Sequence, residues 1–118
     1  MILVGHGSRE AGFGAAMEKV AMALKKDRRF LEVSCAYLQI ASPSIDLAID
    51  RYVEKKMRQI RVLPYFVLTG RHVKSHIPEI VKRAKKKYHG LADIILCPYL
   101  GYDEKIVALA KKRILETL

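Results

Sequence analysis

Short apolar runs alternate with stretches of helical periodicity along the whole chain, and few folds accommodate that alternation. Ile2-Leu3-Val4 is uniformly apolar and reads as a buried strand. Glu10 to Asp27 carries Phe13, Met17, Val20 and Leu24 at spacings of three and four, the stripe of a first helix with Ser8 as its N-cap. Leu31 to Leu38 reads as a second strand whose polar beginning predicts a sheet edge. Ser42 before Pro43 marks a second helix, with proline at its first position and Ile45, Ala48, Ile49, Tyr52 and Val53 facing inward. Gln59 to Val67 is the third strand, and Pro78 opens a third helix with Ile77, Ile80, Val81 and Ala84 on one side. Ala92 to Cys97 is the fourth strand, and Asp103 to Leu118 a last helix marked by Ile106, Ala110 and Ile114. The βαβαβαβα order predicts one α/β domain over residues 1–118, a four-stranded parallel sheet flanked by helices. Right-handed crossovers give the strand order 2-1-3-4, with the first and third strands adjacent at the topological switch point.

The net charge of +10 invites a nucleic-acid-binding reading. Its placement argues against it. Fifteen of the 22 basic residues fall in four clusters: Lys25, Lys26, Arg28 and Arg29; Lys55, Lys56 and Arg58; Lys82, Arg83, Lys85, Lys86 and Lys87; Lys111, Lys112 and Arg113. Each lies toward the end of an expected helix, where cations complement the helix dipole on the side opposite the ligand-binding edge. No aromatic-basic surface motif accompanies them. Cys35 and Cys97 lie in apolar runs, match no zinc or redox spacing, and read as buried thiols. No apolar run reaches the roughly 18 residues of a membrane span, and no basic leader precedes the first strand. A cytoplasmic protein is the expectation.

Two loops carry the chemistry. Gly5-His6-Gly7-Ser8-Arg9 follows the first strand, and Leu68-Thr69-Gly70-Arg71-His72 follows the third. Both histidines should therefore emerge at the carboxyl edge of the sheet. A glycine turn entering a helix suits a phosphate, yet there is no G-x-G-x-x-G and no Walker lysine. Nucleophilic transfer needs an orienting acid and an oxyanion site, and nothing resembles a nucleophile elbow. Metal chemistry fits better: two imidazoles from adjacent strand ends can reach one divalent ion from the same side. His76, four residues after His72, joins them if the loop is helical there. The plain alternative, a hydrogen-bonded turn histidine, stays open for His6, His72 and His76, and is the expected reading for His89 at a helix end.

These residues resemble a family. Gly5-His6-Gly7-Ser8-Arg9, the Ala36-Tyr37-Leu38 strand leading to Pro43-Ser44-Ile45, Pro64-Tyr65-Phe66, Gly70-Arg71-His72-Val73 and Ile77-Pro78 are similar in order and spacing to the CbiX/SirB sirohydrochlorin chelatases. The length resembles the short archaeal-type members, each one half of the two-domain bacterial enzymes, which assemble as homodimers. The resemblance implies ATP-independent insertion of Co²⁺, or of Ni²⁺ or Fe²⁺, into sirohydrochlorin, with no prosthetic group. It gives His6 and His72 the roles of metal holder and proton acceptor, with His76 as a further ligand or base. Ser8, Arg9, Gln39, Gly70, Arg71 and Lys74 would surround the cleft and meet the carboxylates of the tetrapyrrole. Where relatives carry acids, this chain has Gln39, Ser42 and His76. A non-catalytic metal or tetrapyrrole carrier is the alternative, and a nucleic-acid module a weaker third.

Overall fold

In the computed structural model, which describes all of residues 1–118, the elements follow in the order β1 (Ile2–Gly5), α1 (Ala15–Lys25), β2 (Ser34–Tyr37), α2 (Ile45–Glu54), β3 (Gln59–Pro64), α3 (Ile77–Lys87), β4 (Asp93–Leu96) and α4 (Glu104–Leu115). A π-helical turn, His72–His76, leads directly into α3. The strands form one parallel sheet in the order β2-β1-β3-β4, as the alternation predicts. Val4 is flanked by Ala36 on one side and Pro64 on the other.

β1 is apolar throughout because it is covered on both faces. Ile2 and Val4 join Ile60, Val62 and Ile94 under the inner faces of α2 and α3, while Leu3 points the other way, toward Met17 and Ala21 of α1. Two cores thus meet back to back across the strand. The hydroxyl of buried Tyr52 lies 2.7 Å from that of Ser34 and donates to the Met1 carbonyl at 3.1 Å, so it enters the core already partnered. At the far end of the sheet Tyr88 donates to the Asp50 carboxylate, tying the close of α3 to α2.

Element boundaries depart from expectation for local reasons. The first helix starts at Ala15, after a turn region in which Phe13 sets its ring edge on Tyr37, 5.2 Å between centroids. Ser8 is therefore no N-cap: its hydroxyl accepts from the Glu10 N–H at 3.0 Å, and Gly14 stands at the helix start without a side-chain cap. Ser44, not Ser42, caps α2, accepting from the Leu47 N–H at 3.2 Å, and Pro43 precedes the helix. β3 ends at Pro64: the Tyr65 N–H still donates to the Val4 carbonyl at 2.8 Å, and Phe66 and Val67 lie beyond the strand. Cys35 and Cys97 are half-buried rather than buried, and desolvation pushes both thiols up.

The last helix departs most. Ile106, Ala110 and Ile114 form the expected stripe, yet no residue of α4 is buried. The apolar stripe predicts a face that wants covering, and in the single chain nothing covers it.

Ile49 is fully buried in the larger core, whereas Leu31 is 87% exposed. Ile49→Ala should lower unfolding free energy by about 2–5 kcal/mol, read from urea midpoints, against less than about 0.5 kcal/mol for Leu31→Ala.

Candidate functional site

β1 and β3 are parallel neighbours, so the segments that follow them leave the sheet at the same edge. His6 comes directly after β1, and its ring centroid lies 5.0 Å from that of His72 in an edge-to-face arrangement. His76 lies 5.4 Å beyond His72, their Nδ1 atoms 3.2 Å apart. The three imidazoles that the sequence singles out form one contiguous apex on the carboxyl edge.

Backbone contacts hold His6 there. The N–H groups of Leu38 and Gln39 donate to the carbonyls of Gly5 and His6 at 3.0 and 3.1 Å, extending the β1–β2 pairing past the strand ends. Gly7 has φ +103°, and a Cβ on it would stand 1.8 Å from the Gln39 carbonyl oxygen. Only glycine fits, because both partners are backbone and neither has a rotamer to change.

The π turn positions the other two rings. Proline cannot donate into a helix, and its ring crowds the carbonyl four residues earlier, which for Pro78 is that of Lys74. The turn ahead of it is widened, and the Ile77 N–H reaches back to the His72 carbonyl. The condition for His76 to join, helical structure after His72, is met by this wider form.

Hydrogen bonding sets the tautomers. His6 Nδ1 lies 3.2 Å from the Gly7 carbonyl, which can only accept, so Nδ1 carries the proton and Nε2 keeps its lone pair. Between His72 and His76 one Nδ1 donates and the other accepts, so one of the two likewise presents a free Nε2 lone pair. Desolvation lowers the pKa of His72, and His6, His76 and Arg71 add to that effect by disfavouring a further positive charge. For His72 this favours the neutral, ligand-competent imidazole.

The other sequence-predicted residues are near in sequence but looser in structure. Arg9, Gln39, Arg71 and Lys74 are exposed, and the three cations enter none of the ion pairs of the chain. Ser8 is occupied in its turn. Gly70 accepts from the Lys74 N–H at 2.8 Å and has open space where a side chain would be. The clefts lined by Met1 and Arg61, by Asp50 and Tyr88, and by Phe13 and Tyr37 lie elsewhere, and none of these includes a histidine. No three His, Cys, Asp or Glu side chains gather closely enough to hold an ion, so His6, His72 and His76 adjoin in pairs without forming a ready three-ligand site.

Two further features border the apex. Phe66 stacks on His72, centroids 6.5 Å apart; reading Gln59 to Val67 as one strand hides that role. Ile40 has φ 67°, rare for a β-branched residue, and is 60% exposed where the Ala41 N–H closes a tight turn onto the Gln39 carbonyl at 2.7 Å. No residue pattern signals it.

The CbiX family model matches residues 1–117. The chain belongs to the CbiX family. It is 32% identical to the sirohydrochlorin cobaltochelatase of Sulfolobus acidocaldarius over 96% of this chain and 87% of that protein. It is 29% identical to the chloroplastic sirohydrochlorin ferrochelatase of Arabidopsis thaliana, over 97% of this chain but 50% of that one. The cobalt-bound sirohydrochlorin chelatase SirB of Bacillus subtilis superposes with a TM-score of 0.87 at 26% identity, covering 98% of this chain and 49% of SirB. This CbiX chain thus spans about half the length of the Arabidopsis and Bacillus proteins and most of the Sulfolobus one.

Gly7→Ala should destabilise the chain by about 2–4 kcal/mol in urea unfolding, since the β1–β2 extension must open to admit the methyl. Proton NMR titration should find His72 ionising below an ordinary histidine, with His76→Ala or His6→Ala moving it back up. An unshifted His72 contradicts the desolvated setting of that ring.

Proposed function

We propose that this CbiX chain inserts a divalent metal, Co²⁺ in the first instance, into sirohydrochlorin without ATP. The observation that carries the reading is the contiguous His6, His72 and His76 apex, on a chain whose relatives are named for this reaction. Insertion exchanges two pyrrole N–H protons for one metal ion, so the protein must hold the ion loosely and accept protons. An imidazole with a free Nε2 lone pair does both. The open apex leaves coordination positions for the incoming macrocycle nitrogens, as a closed structural site would not. Ni²⁺ and Fe²⁺ remain competing substrates, because divalent ions follow a common affinity order and these ligands do not separate them.

Arg9, Arg71 and Lys74, free of internal ion pairs, are available to the peripheral carboxylates of the substrate, and Ser8, Gln39 and Gly70 border its seat. The net charge of +10 collects such a polyanion by steering. A homodimer supplies the walls that the open apex lacks. No helix is long and apolar enough to cross a membrane, and two free thiols fit a reducing compartment such as the cytoplasm.

Anaerobic mixing with sirohydrochlorin and Co²⁺ should show metallation faster than the spontaneous rate in the visible spectrum. His6→Ala and His72→Ala should each lower kcat/KM about 100-fold or more with the fold intact. Arg71→Ala and Lys74→Ala should instead raise KM, about 10-fold, with kcat little changed. Binding of both substrates without acceleration would assign the chain to the carrier role.

A further inference from the structure

A cleft opens at the amino edge of the sheet, the end remote from the histidines, where Met1, Glu32, Gln59 and Arg61 lie at or just before the starts of β1, β2 and β3. It holds about 480 Å³, within the roughly 300–1,000 Å³ usual for small-molecule sites. Five cations line it, Arg29, Lys55, Lys56, Arg58 and Arg61, against one acid, Glu32. Arg29 pairs with Asp27 at 2.6 Å and Lys55 with Glu32 at 2.8 Å. Lys56, Arg58 and Arg61 enter no ion pair.

Cations near the carboxyl ends of helices ordinarily complement the helix dipole, an effect that fades beyond the last turn. Arg58 lies past the end of α2, and Arg61 is a residue of β3, so neither serves that purpose. Lys56 turns the chain out of α2 at φ 64°, a conformation that glycine adopts freely and a lysine only under strain. A cation stands there although a smaller residue would make the turn more easily.

Glu32 supplies a second, independent observation. Its Oε1 accepts from Lys55 Nζ at 2.8 Å, whereas Oε2 is shut off from solvent and has no partner. A carboxylate oxygen without a donor is costly. The side chain as a whole is 28% exposed, and the last torsion of a glutamate is soft, so a modest turn presents that oxygen to the cleft. Half-buried Phe30 and Met57 and exposed Leu31 give the same cleft an apolar side. Free cations, an acceptor without a donor and an apolar wall together select a molecule that carries an anion, a hydroxyl and a flat apolar part. Inorganic phosphate lacks the last two, and a sugar phosphate lacks the last.

We propose that the amino-edge cleft binds a ribonucleoside phosphate, its phosphates on Lys56, Arg58 and Arg61, a ribose hydroxyl donating to Glu32, and its base against Phe30, Leu31 and Met57. The site is separate from the histidine apex, since no histidine lines it and β1 runs between the two. It does not rest on the metallation reading.

Isothermal titration calorimetry of the whole chain in metal-free buffer, with ADP, pyrophosphate and ribose 5-phosphate as probes, tests the assignment. ADP should bind about 10-fold or more tightly than either fragment, because only ADP meets all three features. Glu32→Gln preserves the shape and an acceptor for Lys55 but removes the free one. It should weaken ADP about 10-fold and leave pyrophosphate unchanged or tighter. Arg58→Ala and Arg61→Ala should weaken ADP and pyrophosphate alike, and His6→Ala should leave ADP binding intact. Pyrophosphate bound as tightly as ADP would reduce the cleft to a bare anion patch and overturn the proposal. ADP affinity that is absent at millimolar concentration, indifferent to Glu32→Gln or to both arginine variants, or lost in His6→Ala would overturn it as well.

Discussion

Burial of β1 on both faces is the constraint from which the rest of the geometry follows. Ile2, Leu3 and Val4 have no exposed surface, and the strand is paired on both edges, so it can neither slide nor rotate without exposing one core or the other. The residue that follows it inherits that fixity. His6 is placed by the end of the most confined strand in the molecule, and the backbone approach of Gly7 to Gln39 carries the confinement past the sheet edge. His72 and His76 are held differently, through a helix start shaped by Pro78 and anchored by the fully buried Ile77. The site thus combines one imidazole on a rigid strand end with two on a helical turn.

How much of this is legible in the residues depends on how local its cause is. The strand order and the carboxyl-edge position of both histidine loops follow from alternation and crossover handedness alone. The limits of α1 and β3 do not, because the turn around Phe13 and the exit at Tyr65 depend on contacts with other elements. The π turn is invisible to periodicity, since His72, Lys74 and His76 carry no pattern distinguishing it from a loop. In α4 the stripe of Ile106, Ala110 and Ile114 is plain, but a stripe states only that a face is apolar, never which chain covers it.

Membership of the CbiX family and the local chemistry support one another without being the same argument. The family explains why a chain about half the length of some relatives can hold the full set of matched loops. The geometry supplies what the family does not: which His6 ring nitrogen is free, why the His72 pKa is lowered, and where Phe66 stacks. It also leaves the larger clefts of the single chain away from the histidines.

The lack of any carboxylate beside the three imidazoles has one more consequence. On the proposed chemistry, each proton accepted from the macrocycle adds positive charge to a cluster already facing Arg71, and no acid is present to absorb it. An imidazolium formed there is therefore a poor place for the proton to stay. The exposure of His6 and His76 gives it a direct way out, so water performs the step that a buried acid relay would otherwise perform. On that chemistry the solvent-facing side of His6 and His76 has a use, as the side from which the displaced protons would leave.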